Sequence, residues 1–120
     1  MLIRVIDDDL SVRTALKRLL ISAGFEVATF ASAKGFMDCG DCDAPGCLIL
    51  DVRMPGMSGM ELQAQLASAG CSLPIIFITA HEDLDARQKA MAAGAVAFLL
   101  KPFEDQVLLD AIGDAVGRYR

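Results

Sequence analysis

Four short apolar runs each end in a polar side chain that could do chemistry. Leu2–Ile6 ends in Asp7-Asp8-Asp9, Cys47–Leu50 in Asp51, Ile75–Ile78 in Thr79, and Val96–Leu100 in Lys101. Short runs of Ile, Val, Leu and Phe between turn residues read as strands buried on both faces. In an open parallel sheet, ligands bind outside the carboxyl ends of the strands. Carboxylates, a hydroxyl and an ammonium would then meet in one crevice. Crowded carboxylates raise each other's pKa unless a cation neutralises them. An oxygen-only set of this kind suits Mg²⁺, which keeps several waters and takes a few carboxylates plus a phosphate oxygen. With the repulsion offset, one carboxylate can attack phosphorus as a nucleophile. The cation and Lys101 would balance charge on the equatorial oxygens, and Thr79 could donate to another.

The elements that must hold these residues alternate along the chain. After the Asp cluster, Val12, Leu16, Leu19, Leu20 and Ala23 recur at helical spacing and Gly24 supplies a stop. Asp9 or Ser11 suits the N-cap, which makes Asp9 a cap rather than a metal ligand. Phe25–Phe30 reads as a second strand, and a short helix with Phe36 and Met37 starts at Ser32. A loop over Gly40–Gly46 precedes the strand ending at Asp51. Met54-Pro55-Gly56-Met57-Ser58-Gly59 must be a tight loop. Further helices follow from Met60 to near Gly70, over Asp83–Ala93 with little apolar area, and over Asp105–Tyr119. Five strands alternating with five helices predict an α/β fold: a doubly wound parallel sheet. We take the flavodoxin-like order 2-1-3-4-5, which puts Asp7, Asp8 and Asp51 at the switch point.

Size and charge narrow the class. The 120 residues fit one domain over 1–120, and 54% hydrophobic content with no Trp implies an aliphatic core. A net charge of −5 argues against direct contact with nucleic acid, which needs clustered Lys and Arg. The N-terminus reaches Asp7 too soon for a signal peptide, and no apolar run approaches a membrane span, so a soluble cytoplasmic protein is expected. Cys39, Cys42, Cys47 and Cys71 raise the question of zinc. Cys47 opens a buried strand, however, and no His lies near Cys39 and Cys42. Reduced thiols are expected, with Cys39 and Cys42 on an exposed, oxidisable loop.

Val5-Ile6-Asp7-Asp8-Asp9, Leu50-Asp51-Val52-Arg53-Met54-Pro55-Gly56-Met57-Ser58-Gly59, Ile78-Thr79-Ala80 and Lys101-Pro102-Phe103 resemble, in order and spacing, the receiver domains of two-component response regulators. The resemblance spans the whole chain. It implies that Asp51 accepts a phosphoryl group from a sensor histidine kinase. It also implies that Asp8 binds Mg²⁺ directly, that Asp7 acts mainly through water, and that the Arg53 carbonyl completes the metal site. Lys101 would bind the phosphoryl group, and its bond to Pro102 would be cis. Thr79 and Phe98 would form the switch, read on the face of the fourth helix, fifth strand and fifth helix. Phe103-Glu104-Asp105 and Gly94-Ala95-Val96-Ala97-Phe98 look like the NarL/FixJ class, whose receivers precede a helix-turn-helix output domain. A homodimer through the fourth helix and fifth strand is then expected on phosphorylation. Val12, Arg13 and Leu16 are expected to form the kinase-docking patch. His81 and the Arg53 side chain would flank the acyl phosphate and tune its hydrolysis.

Three other functions compete. A haloacid-dehalogenase-type phosphatase would need a second Asp where Arg53 stands, and a cap domain. A nucleotide or flavin module would need a Gly-rich loop after the first strand, where this chain has carboxylates. A stand-alone or phosphorylation-independent docking receiver is the alternative, although every side chain that phosphorylation requires is in place.

Overall fold

In the computed structural model, which describes residues 1–39, 42 and 44–117, five strands alternate with five helices. The strands are β1 (Leu2–Ile6), β2 (Glu26–Phe30), β3 (Gly46–Asp51), β4 (Ile75–Thr79) and β5 (Ala97–Leu100). The helices are α1 (Leu10–Ser22), α2 (Ala33–Cys39), α3 (Gly59–Ser68), α4 (Leu84–Ala92) and α5 (Asp105–Gly117). All four strand pairs are parallel, in the order β2-β1-β3-β4-β5 that the alternation predicted. Boundaries differ from the expected ones by a residue or two, as fraying ends do. Part of the loop expected over Gly40–Gly46, and the end of the helix expected to reach Tyr119, lie outside the described residues.

The apolar strands divide their side chains between two cores, because successive residues of a strand point to opposite faces. Ile6, Leu48, Leu50 and Phe77 pack with Phe36, Leu62, Leu66 and Ala90, under α2, α3 and α4. Ile3, Val5, Ile49, Ile76 and Ile78 pack with Leu16, Leu20, Leu108 and Ile112, under α1 and α5. Both faces are covered, so the runs read as continuously apolar although each strand alternates. Ala90 is the one buried residue of α4, the thinly anchored helix that the sequence implied.

Helix starts follow capping chemistry. The Asp9 carboxylate accepts from the Ser11 N–H at 2.8 Å and caps α1. Ser58 and Glu61 form a reciprocal capping box at α3, and Asp83 caps α4 by accepting from the Ala86 N–H at 3.0 Å.

Three expectations are corrected. Leu16 faces inward with Leu20, one turn apart, and is buried in the core under α1 and α5, so it is not part of the exposed face of α1. Arg4, read as part of an apolar run, is buried at the start of the sheet, where its guanidinium donates to the carbonyls of Leu2 (3.2 Å) and Ala44 (3.0 Å). Reduced thiols were expected throughout, yet Cys42 and Cys71 are joined in a disulfide. Crossover connections bring the segments before β3 and β4 to the same end of the sheet, which leaves these Cα atoms 5.8 Å apart. Cys39 and Cys47 are free, the first exposed at the end of α2 and the second buried in β3.

Candidate functional site

The site forms where β1 and β3, neighbours at the switch point, run out of their ladder. Their register pairs Ile6 with Leu50, so the next residues, Asp7 and Asp51, emerge side by side. The main chain holds both in place. The Asp7 N–H donates to the Phe30 carbonyl at 3.1 Å, and beyond Asp51 the Val52 N–H donates to Ile78 at 3.1 Å. On the other side, the Lys101 N–H donates to the Thr79 carbonyl at 2.7 Å and brings the end of β5 to the end of β4. The Lys101–Pro102 peptide bond is cis.

Asp7 is fully buried, Asp51 nearly so, and Asp8 is exposed. One ligand oxygen from each lies within 4.8 Å of the others. Among the described residues, these three are the His, Cys, Asp or Glu cluster that could hold a metal ion. Lys101 Nζ donates to Asp7 Oδ2 at 2.8 Å and stands 3.9 Å from Asp51 Oδ1. Asp7 Oδ1 accepts from the Asp9 N–H at 2.9 Å. Among the described residues, Asp51 Oδ1 accepts just one hydrogen bond, a long one from the Arg53 N–H at 3.4 Å. The buried carboxylate is therefore well satisfied, and the one best placed to react is weakly held.

Electrostatics separate the pair further. Burial, then the charge of Asp7, pushes the Asp51 carboxyl up to about 6, with Asp8 adding to the rise. Lys101 and the Arg53 N–H oppose this without cancelling it. An ionised Asp51 is thus uncomfortable in the bare protein and would gain from a nearby cation. The donor set is all oxygen, clustered and partly exposed, which fits a hard divalent ion such as Mg²⁺.

A crevice of about 230 Å³ is lined by Asp7, Asp8, Asp9, Asp51, Arg53, Thr79, Ala80, His81 and Lys101. It unites every residue singled out in the sequence for phosphoryl or metal chemistry, and Arg53 and His81 both stand at its rim. The Thr79 hydroxyl donates to the His81 carbonyl and accepts from the His81 N–H, each at 3.2 Å. Phe98 stands apart, partly buried against Phe77 at 6.0 Å between ring centroids. It lines a separate hollow with Leu84, Arg87 and Leu100. A wider groove beside Met54 and Met60 lacks a comparable set of converging charges.

Two contributors were not foreseen. Arg13, read only as a docking residue, reaches back from α1 to donate to the Asp7 carbonyl at 2.7 Å. Gly59 opens α3 directly against β3, where a Cβ would run into the Asp51 carbonyl oxygen. Its N–H donates to the Val52 carbonyl at 2.9 Å, so the loop after Asp51 folds back tightly. Arg13 carried no local signal beyond its charge. Gly59 was legible only as part of a turn.

The 2-1-3-4-5 sheet with this acidic, lysine-bearing crevice at its switch point defines a receiver-type α/β domain. Residues 3–113 match the response regulator receiver domain family, and the chain belongs to that family. It is 47% identical over 116 residues to nodulation protein W of Bradyrhizobium diazoefficiens, covering 97% of this chain and 51% of that protein. Among solved structures, response regulator StyR superposes with a TM-score of 0.92 at 53% identity, over 98% of this chain and 59% of that one. FixJ-N superposes with a TM-score of 0.89 at 40% identity, over 97% of this chain and 93% of that one. The likeness to FixJ agrees with the class the sequence suggested. The chain spans about half the length of the curated relatives it matches.

Proposed function

We propose that this domain is a phosphorylation-activated switch in which Asp51 takes a phosphoryl group from the phosphohistidine of a sensor kinase. One observation carries the reading. Asp51 is the weakly held carboxylate, with Lys101 Nζ 3.9 Å away and ligand oxygens of Asp7 and Asp8 beside it.

In the transfer, an Asp51 oxygen bonds to phosphorus as the bond from phosphorus to the histidine nitrogen breaks. Asp7, Asp8, Asp51 and the main-chain carbonyl of Arg53 would hold Mg²⁺. When bound, the ion supplies positive charge to the crowded carboxylates and to the phosphoryl oxygens. Lys101, already in the crevice, turns part of its attraction from Asp7 to a phosphoryl oxygen. Thr79 exchanges its bond to the His81 carbonyl for another phosphoryl oxygen. The loop after β4 is thereby released, and Phe98 moves inward beside Phe77. His81 and Arg53 at the rim control how water reaches the acyl phosphate. Water then hydrolyses the carbon–oxygen–phosphorus linkage, so the domain turns over its own phosphate and is not a conventional enzyme.

The output follows from α4. This thinly anchored helix presents exposed Leu84 and Met91, and Leu100 of β5 is exposed beside it. A homodimer through α4 and β5 would cover them. Half-length coverage of the relatives fits a receiver coupled to a DNA-binding output domain, with this domain itself, at a net charge of −5, not touching nucleic acid. A cytoplasmic location accords with the kinase partner. Among the described residues no helix is long and apolar enough to cross a membrane.

The test is intact mass after incubation with acetyl phosphate and Mg²⁺. The parent should gain one phosphoryl group, and Asp51→Asn should not. Equal labelling of the variant, or labelling unaffected by chelation of Mg²⁺, overturns the proposal. A docking receiver indifferent to phosphorylation would also show no change in sedimentation with beryllofluoride.

A further inference from the structure

Away from the acidic crevice, Cys42 before β3 is bonded to Cys71 before β4. Both residues are only partly buried and pack against the core under α3 and α4. Cys71 is anchored at the end of α3 by its N–H, which donates to the Leu66 carbonyl at 2.9 Å. It lines an open hollow of about 300 Å³ with Gln63, Leu66, Leu73 and Gly94, so a small thiol can approach.

We propose that Cys42 and Cys71 are a redox-responsive pair, a modification site independent of phosphorylation. The Cα separation of 5.8 Å lies in the usual disulfide range, so the bond can open and close without rebuilding the backbone. In reducing compartments the disulfides that do form are mostly transient and redox-sensing, and partly exposed pairs are the ones that exchange. The oxidant is a low-molecular-weight disulfide such as glutathione disulfide. One cysteine thiolate attacks an oxidant sulfur and expels a thiolate. The second thiolate then attacks the mixed disulfide and expels the other half of the oxidant as a thiolate. Two electrons pass from the protein to the oxidant, and the two protein protons leave to solvent or to the departing thiolates.

The other cysteines do not share this placement. Cys47 is buried in β3, and burial pushes its thiol up to about 12, leaving scarcely any thiolate to exchange. Cys39 is exposed and free at the end of α2. The bond spans a sequence separation of 29 residues that contains β3, with Asp51, and α3. Closing such a loop restricts the unfolded chain and should raise the folding constant roughly 100- to 1,000-fold.

The experiment compares the whole protein after glutathione disulfide with the same protein after a phosphine reductant. Non-reducing peptide mapping should find the Cys42–Cys71 linkage after oxidation, and the urea midpoint should fall on reduction. Cys39→Ser should keep both effects and Cys71→Ser should lose both. Four alkylatable thiols after oxidation, a Cys39-containing linkage in place of Cys42–Cys71, or a midpoint indifferent to redox state each overturn the proposal. Mapping of the parent decides the matter even if Cys71→Ser fails to fold. Labelling of Asp51 plays no part in these readouts.

Discussion

The Lys101 ammonium binds the buried Asp7 carboxylate at 2.8 Å while standing 3.9 Å from Asp51, so one cation serves two carboxylates of unequal freedom. Asp7 uses Lys101 as its charge partner, and Asp51 feels it only as a neighbour. Lys101→Met would leave the Asp7 charge buried and uncompensated. Stability without divalent ions should fall by about 2–4 kcal/mol, toward the lower part of the range for breaking a buried ion pair, because Lys101 is partly exposed. Saturating Mg²⁺ should restore part of the loss, since both cations answer the same carboxylates. Urea unfolding with and without Mg²⁺ checks this, and a variant as stable as the parent refutes it.

The raised pKa of Asp51 makes a prediction with a definite sign. Its folded value of about 6 exceeds the model-peptide value of 3.8, so the folded protein holds this proton more tightly than the unfolded chain. The Asp51 contribution to stability therefore declines as pH rises from about 3.8 to 6 and stays at its lower level above that window. Asp51→Asn should accordingly be more stable than the parent at pH 7.5 in chelator, by roughly 1 kcal/mol after allowance for solvent screening. The advantage should fade as the pH drops through the same window. Paired urea titrations across pH 4 to 8 supply the measurement, and a constant difference would contradict it.

Mg²⁺ should stabilise the parent by mass action. At ten times its dissociation constant the gain is about 1.4 kcal/mol, provided that the unfolded chain does not bind. Asp8→Ala should abolish most of the gain while barely changing stability in chelator, because Asp8 is exposed. Thermal unfolding against Mg²⁺ concentration distinguishes the two proteins. An equal gain in both would remove Asp8 from the metal site.

Gly59 is required by the close approach of α3 to the end of β3. Gly59→Ala should cost roughly 1–3 kcal/mol or more by overpacking, even though alanine favours helix. Backbone and not a flexible side chain stands in the way, so Asp51 itself should move. Slower phosphoryl labelling together with a lower urea midpoint is the expected pair of results. A stabilised Gly59→Ala protein would show that the approach can relax.

Gln63 ties α3 to α4 through a buried bond from its amide nitrogen to the Ala90 carbonyl, 3.1 Å long. Gln63→Leu should leave that carbonyl without its side-chain donor and cost roughly 1–2 kcal/mol. The loss should be concentrated in α4, the helix with least apolar anchorage. Hydrogen exchange should quicken over 84–92 more than over α5. Uniform quickening, or none, would show that Gln63 does not hold α4.

The fold was legible because its signals are local and repeated. Apolar runs of four or five residues, Gly stops and polar strand ends specify five βα units, and right-handed crossovers leave few arrangements for them. The members of the crevice were legible for the same reason, since a parallel sheet carries each strand's last polar residue to the same edge. Phe98 was harder, because an aromatic in the last strand looks alike whether it packs in the core or moves. Its place against Phe77, outside the crevice, came only from the packing.

Sequence by itself determined which chemistry is available: carboxylates, one ammonium and one hydroxyl at strand ends. Tertiary structure alone decided how that chemistry is apportioned. The choice of Asp7 for Lys101, the reach of Arg13 to the Asp7 carbonyl, the burial of Arg4 and Leu16 and the union of Cys42 with Cys71 all join residues or faces that no local pattern relates. A strand or helix is dictated by neighbours in sequence. A hydrogen bond or disulfide depends on ångström distances between elements, which exist only after both cores have closed.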